Sequence, residues 1–197
     1  MAKKLFLDAD NTIWNSTKAF VEVHNLICGK RYMFNKESIP QWELVKRYDF
    51  TDQIPDLNSI TKHAIFDNID FYERLDFYDN AKEIIEELSS KVEVQVVSMS
   101  TYQSLIHKGR KLEKDLPKVK FQPILYSYYK DKSHIDMRNG ILIDDVTKNL
   151  YTSSADKNIC FKYQGITQDV NEDWRGEVLT SWDEKTYKYL KELLEIK

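Results

Sequence analysis

Two stretches, Lys4-Leu5-Phe6-Leu7-Asp8-Ala9-Asp10-Asn11-Thr12 and Gly140-Ile141-Leu142-Ile143-Asp144-Asp145, decide how this chain folds. Each is a short apolar run that ends abruptly in acids. Continuous rather than alternating apolar residues mark a strand buried on both faces, as in a parallel sheet covered by helices. Val92 to Val97, Phe121 to Tyr126 and Asn158 to Phe161 read the same way, giving five candidate strands. Helical patterns lie between some of them. Asn80 to Leu88 places Ile84, Ile85 and Leu88 on one face, with Asp79 or Asn80 as candidate cap. Tyr102 to Asp115 repeats apolar residues at Tyr102, Leu105, Ile106 and Leu112 before Pro117 stops it. Ser181-Trp182-Asp183-Glu184 has the capping-box pattern and opens a helix through Tyr187, Leu190, Leu193 and Leu194. Strands alternating with helices predict an α/β fold, a doubly wound parallel five-stranded sheet with right-handed crossovers. One segment breaks the rhythm. Between Ile13 and Phe77 no strand pattern occurs, and the spacing of Phe20, Val21, Val23 and Leu26, then Trp42, Leu44 and Val45, is helical. The expected division is a core of residues 1–14 and 78–197 with a helical insertion at 15–77.

Composition narrows the class. The chain has 197 residues, 29 Lys+Arg against 32 Asp+Glu, and a net charge of −3, which fits one domain carrying an insertion. A hydrophobic share of 42% with 13% aromatics excludes a disordered chain. The near-neutral balance argues against a dedicated nucleic-acid binder. The six basic residues from Lys108 to Lys120 are interrupted by Glu113 and Asp115 and read as a solvated helix face. Cys28 and Cys160 form neither a CxxC nor a zinc spacing. No apolar run approaches a membrane span, and Met1 to Asp8 does not read as a secretory signal. The expectation is a soluble, cytoplasmic protein with neither a membrane nor a stable nucleic-acid partner, a homodimer being left open. His24, His63, His107 and His134 are scattered and read as surface or packing residues.

In an open parallel sheet, ligands sit beyond the carboxyl ends of the strands. Asp8 and Asp10 therefore stand where a site would be, and two acids at that spacing can hold one hard cation. An EF-hand loop is excluded, because it would need Gly at position 13 and Glu at position 19, which are Ile13 and Ala19. Alone, Asp8-Ala9-Asp10 is a weak signal. Asp144-Asp145 at the end of a second core strand strengthens it, since two acid clusters on one sheet edge repel each other without a cation. Ser98 ends another strand in a hydroxyl, and Lys130 and Lys132 bring ammonium groups shortly before the acid pair. Together these groups describe a site for a phosphoryl group.

In order, spacing and strand-end placement, Asp8-Ala9-Asp10-Asn11-Thr12, Ser98, Lys132 and Asp144-Asp145 resemble the four motifs of the haloacid dehalogenase (HAD) superfamily of phosphotransferases. The resemblance implies a Rossmann-like sheet of the HAD type with a small helical cap after the first strand. A narrower likeness follows. Phe71-Tyr72-Glu73-Arg74-Leu75-Asp76-Phe77-Tyr78-Asp79-Asn80, Lys130-Asp131-Lys132-Ser133 and the tail from Cys160-Phe161 through Trp174-Arg175-Gly176-Glu177 to Ser181-Trp182-Asp183-Glu184 are similar to the 5′(3′)-deoxyribonucleotidases. The likeness is loose over the insertion.

By this resemblance Asp8 is the nucleophile that forms an aspartyl-phosphate, and Asp10 is the general acid and then base. Ser98 and Lys132, helped by Lys130, hold the phosphate. Asp8, the backbone carbonyl of Asp10 and Asp145 hold Mg²⁺, with Asp144 supporting from behind, although the two neighbouring acids are free to trade roles. Asn11 and Thr12 shape the turn and donate local hydrogen bonds. Trp14 and Trp42 are the candidates for contact with the base or sugar, with core packing as the competing reading. The implied activity is magnesium-dependent hydrolysis of nucleoside monophosphates, deoxyribonucleotides in particular. A polynucleotide 3′-phosphatase or small-metabolite phosphatase on the same fold is the rival within the enzyme class. A binding or regulatory module without turnover is the rival outside it.

Overall fold

The structure, a computed structural model, describes residues 3–28, 65–163 and 173–196. In chain order its elements are β1 (Lys4–Leu7), α1 (Ser16–Cys28), α2 (Ile69–Glu73), α3 (Ala81–Ser89), β2 (Glu93–Ser100) and α4 (Tyr102–Asp115). Then come β3 (Lys120–Leu125), β4 (Gly140–Asp144), α5 (Thr147–Thr152), β5 (Lys157–Phe161), β6 (Glu177–Leu179) and α6 (Glu184–Leu193). The strands form one sheet in the order β3-β2-β1-β4-β5-β6, and every pairing is parallel. The chain winds outward from β1 in one direction and returns to lay β4 on its other side. The point of reversal, where such sheets leave a crevice for ligand, therefore lies between β1 and β4.

Among the described residues the sheet has six strands where five were expected. The extra one, β6, is three residues long and pairs with β5 at the sheet edge through Cys160↔Val178. Two of its three residues are exposed, so it carries no apolar run for a sequence pattern to detect.

The uninterrupted apolar runs have a direct cause. Leu5, Leu7, Val94, Val96, Ile141 and Ile143 belong to the core on one face of the sheet. Phe6, Val97, Leu142, Ile124 and Cys160 belong to a second cluster on the other. Successive side chains alternate between faces, and both faces are covered. Gly140 opens β4 beneath the Phe6 ring, where a Cβ would lie 2.5 Å from Phe6 Cε2, so no larger residue fits without displacing that ring.

Helix ends follow local chemistry. Thr101 caps α4 by accepting from Ser104 N at 3.2 Å, and Pro117 lies just beyond its C-cap Leu116. Asn80 is the N-cap of α3, but through its left-handed backbone (φ 62°), without a side-chain cap bond. The cap of α6 is Asp183 rather than Ser181. Asp183 Oδ1 accepts from Thr186 N at 2.8 Å, while Ser181 Oγ donates to Asp183 Oδ2 at 2.9 Å and braces the cap.

Most of the insertion, including Phe34, Trp42 and Phe50, lies outside the described residues. What is described is its two flanks. α1 leaves the core after Asn15, and Phe66 packs on it through the Phe20 ring at 5.3 Å between centroids. Phe71 of α2 meets Phe66 edge-on at 5.1 Å. Among the described residues, no helix is long and apolar enough to cross a membrane.

Candidate active site

Leu7 of β1 pairs in register with Val96 of β2 and Ile143 of β4, so Asp8 and Asp144 leave neighbouring strands at the same level. Asp8 N donates to Ile143 O at 2.8 Å, which continues the ladder one residue past the strand. The chain then turns sharply. Asn11 takes the left-handed conformation (φ 55°), one that Asn tolerates better than most residues. Its Oδ1 accepts from Thr17 N at 3.1 Å and Thr17 Oγ1 at 3.0 Å, tying the turn to the first turn of α1. Asn11 thus accepts where it was expected to donate. Thr12 O accepts from Trp182 Nε1 at 2.8 Å, which anchors the turn from the far end of the chain.

Lys132 is buried between the two acid clusters. Its Nζ donates to Asp8 Oδ1 and, at 2.6 Å, to Asp144 Oδ2. Asp144 also accepts from Val146 N at 2.9 Å and from Asn149 Nδ2 at 3.1 Å. Its carboxylate is therefore fixed by donors. Asp8, Asp144 and Asp145 each place a carboxylate oxygen within 4.8 Å of the others, a set able to hold a metal ion. Asp8 and Asp145 line the adjoining cavity of about 240 Å³, whereas Asp144 does not. The donor set fits a hard dication, with Asp8 and Asp145 as the ligands facing the cavity and Asp144 as their support.

Electrostatics point the same way. Burial pushes the Asp8 carboxyl up to about 7, Lys132 pulls it back, and Asp144 and Asp10 add to the rise. Asp145 is raised well above the usual carboxylate range, first by burial and then by Asp8 and Asp144. Burial alone would lower the Lys132 pKa, but Asp144 and Asp8 outweigh it and hold the ammonium in its charged form. These acids repel one another in a buried space. A bound cation would relieve that repulsion.

Asp10 is held on both oxygens. Ser16 Oγ donates to Oδ1 at 2.7 Å, and Lys108 Nζ donates to Oδ2. Lys108 also donates to Ser98 Oγ at 2.8 Å. Phe20, Phe66 and Met99 supply apolar walls to the cavity that Asp8, Asp10, Lys132 and Asp145 line.

Several expectations need correction. Lys108 was read as part of a solvated face, yet it is 0% exposed. The signal was present: Lys108 lies three residues after Leu105 and four before Leu112, on the buried face of α4. Lys130 is exposed, lies outside the cavity lining, and offers its carbonyl to Lys148 Nζ at 3.1 Å. Trp14 is a core residue. It is 0% exposed, bridges to Phe77 in the backbone, and meets that ring edge-on at 5.9 Å. Trp42 lies outside the described residues. Ser98 ends up buried against Lys108 rather than lining the cavity. His107, expected as a surface or packing residue, needs no correction: it is buried and stacks on Tyr72 at 5.0 Å between ring centroids.

A comparison with curated proteins gives no match. Solved structures give the fold. A predicted phosphatase from Clostridium acetobutylicum superposes with a TM-score of 0.63 at 10% identity, covering 98% of this chain and 99% of that one. The HAD-hydrolase YfnB from Bacillus subtilis, solved bound to magnesium, gives 0.59 at 11% identity, covering 99% of each chain. CbbY from Rhodobacter sphaeroides, in complex with phosphate, gives 0.56 at 12% identity, covering 93% of this chain and 96% of that one. The model of the family described as 5′ nucleotidase, deoxy (Pyrimidine), cytosolic type C protein matches residues 2–190. That match takes in all six strands and every acid of the site, so the chain belongs to this nucleotidase family and is a hydrolase of phosphate monoesters.

Proposed function

We propose that the protein is a magnesium-dependent nucleotidase that hydrolyses deoxyribonucleoside monophosphates through an aspartyl-phosphate on Asp8. One observation carries the reading. Asp8, Asp10, Lys132 and Asp145 converge on one cavity at the switch point of the sheet. Asp8 attacks phosphorus, the ester P–O bond breaks, and Asp10 gives its proton to the departing oxygen. Water then attacks the phosphorus, its proton passes to Asp10, and the P–O bond to Asp8 breaks to return the carboxylate. Lys132 offsets charge on Asp8 and on the phosphate beside it. A dication held by Asp8 and Asp145 would supply charge neutralisation.

The family description supports a deoxynucleotide substrate and a cytosolic setting. With Trp14 in the core, the apolar contact to the sugar falls to Phe20, Phe66 and Met99, and residues 15–77 are the cap that carries the first two. A ribose 2′-hydroxyl placed against such a wall loses water without gaining a partner, which costs about 1–3 kcal/mol. The preference for deoxyribose is therefore about tenfold or more, and bounded near a hundredfold.

The test is phosphate release from a panel of deoxy and ribo monophosphates and from a 3′-phosphorylated oligonucleotide, with Mg²⁺ or with chelator. The expected result is Mg²⁺-dependent release, with kcat/KM higher for each deoxynucleotide than for its ribo counterpart. A ratio at or below one rejects the sugar preference. Release from the oligonucleotide alone rejects the mononucleotide substrate, and no release from any compound rejects the enzyme.

A further inference from the structure

We propose that Lys108 is a positioning residue for Asp10, and that its effect is felt most in the half-reaction in which Asp10 takes a proton from water. This rests on the function proposed above.

Among the described residues the site contains two buried lysines, and they divide the acids between them. Lys132 bonds Asp8 and Asp144. Lys108 bonds Asp10 and Ser98. Lys108 is 0% exposed and does not line the cavity, so it acts on substrate through its partners, and of the two only Asp10 lines the cavity. A buried ammonium is tolerated only when paired, and its partners here are one carboxylate and one hydroxyl. With Ser16 Oγ on Oδ1 and Lys108 on Oδ2, the carboxylate of Asp10 is held at both ends against rotation. Each oxygen keeps a further lone pair with which to take a proton.

The two half-reactions depend on Asp10 differently. Departure of an alkoxide from a nucleotide needs the Asp10 proton, whereas departure of p-nitrophenolate does not. Hydrolysis of the Asp8 phosphate always needs Asp10: the water oxygen bonds to phosphorus, the P–O bond to Asp8 breaks with its electron pair going to Asp8, and the water proton goes to Asp10. A catalytic group displaced by about 1 Å loses about 10²-fold.

The experiment compares wild type, Lys108→Met and Lys108→Gln as Mg²⁺-loaded enzymes on p-nitrophenyl phosphate and on a deoxynucleoside monophosphate. With p-nitrophenyl phosphate, Lys108→Met lowers kcat about 10²-fold. KM falls in parallel, kcat/KM is nearly unchanged, and a burst of nitrophenolate close to one per active site precedes the slow steady state. With the nucleotide, kcat/KM falls as well. Lys108→Gln, which keeps a neutral donor on a stem one bond shorter, shows the same split at smaller amplitude. Ser16→Ala removes the other partner of Asp10 and is expected to show the split too, so a Lys108 variant that fails to fold does not shield the proposal. Equal losses of kcat and kcat/KM on p-nitrophenyl phosphate without a burst overturn it. So does an effect confined to KM and to inhibition by inorganic phosphate, which would assign Lys108 to phosphate binding through Ser98. A wild type that releases no phosphate refutes the function proposed above instead.

Discussion

The nucleophile role proposed for Asp8 needs an ionised carboxylate in a buried place, and these demands oppose each other. Burial raises its carboxyl to about 7, with Lys132 only partly offsetting the rise and Asp144 and Asp10 adding to it. Between about pH 4, the ordinary carboxylate range, and pH 7, the metal-free folded chain keeps a proton that the unfolded chain has released. Stability therefore falls as pH rises through that window. Asp8→Asn removes the conflict. In chelator near pH 7.5 the variant should unfold at a temperature higher than wild type by about 3 °C or more, with the gap closing towards pH 4.5. Calorimetry at several pH values checks this, and a constant gap would contradict it. The same variant should have no turnover, because an amide cannot form the acyl phosphate. Asp10→Asn should lose about 10²–10⁴-fold in kcat through the acid/base step. Wild-type-like turnover by Asp8→Asn would remove it as the nucleophile.

At the scale of elements, helix ends are where local chemistry is separable from the site. Asp183 caps α6 through Thr186 N and is itself braced by Ser181. Asp183→Ala should cost about 0.5–2 kcal/mol, a fall of a few degrees in Tm, with kcat and KM unchanged. Thermal unfolding beside steady-state kinetics tests both halves. Helix α4 shows the opposite case. Its spacing of Leu105, Lys108 and Leu112 put a lysine on the buried face, but basic residues at Arg110, Lys111 and Lys114 masked the exception. Only the position of Asp10 and Ser98 across from that face explains why the charge is tolerated there.

At the scale of the molecule, the acids of β1 and β4 meet because the sheet places these distant strands side by side. A dication held between Asp8 and Asp145 would therefore bridge two segments of the fold. Adding Mg²⁺ to chelated wild type should raise Tm by several degrees, since binding at a hundred times Kd contributes about 2.7 kcal/mol. Asp145→Asn should lose most of that rise, and thermal shift against Mg²⁺ concentration reads it directly. Chelation should also stop turnover. Ca²⁺ should restore it poorly, because its larger and looser shell fixes the reacting groups less well. Full activity in excess chelator would contradict the metal's role.

The strands were legible because burial on both faces leaves continuous apolar runs, and Leu5, Phe6, Leu7 and Ile141, Leu142, Ile143 carry them openly. The acids were legible because their place at a strand end follows from where the apolar run stops. The three-residue β6 was not, since an edge strand with exposed side chains needs no such run. Nor could spacing choose among lysines. Lys130 and Lys132 are two residues apart, yet one faces solvent while the other bonds Asp8 and Asp144. Trp14 likewise stands next to the motif in sequence but points into the core against Phe77. Sequence by itself determined the five longer strands and the acids at the ends of two of them, because both depend on local pattern and burial. Which lysine pairs with which acid was decided only by the tertiary structure, because an ion pair depends on where two distant segments bring their charges together.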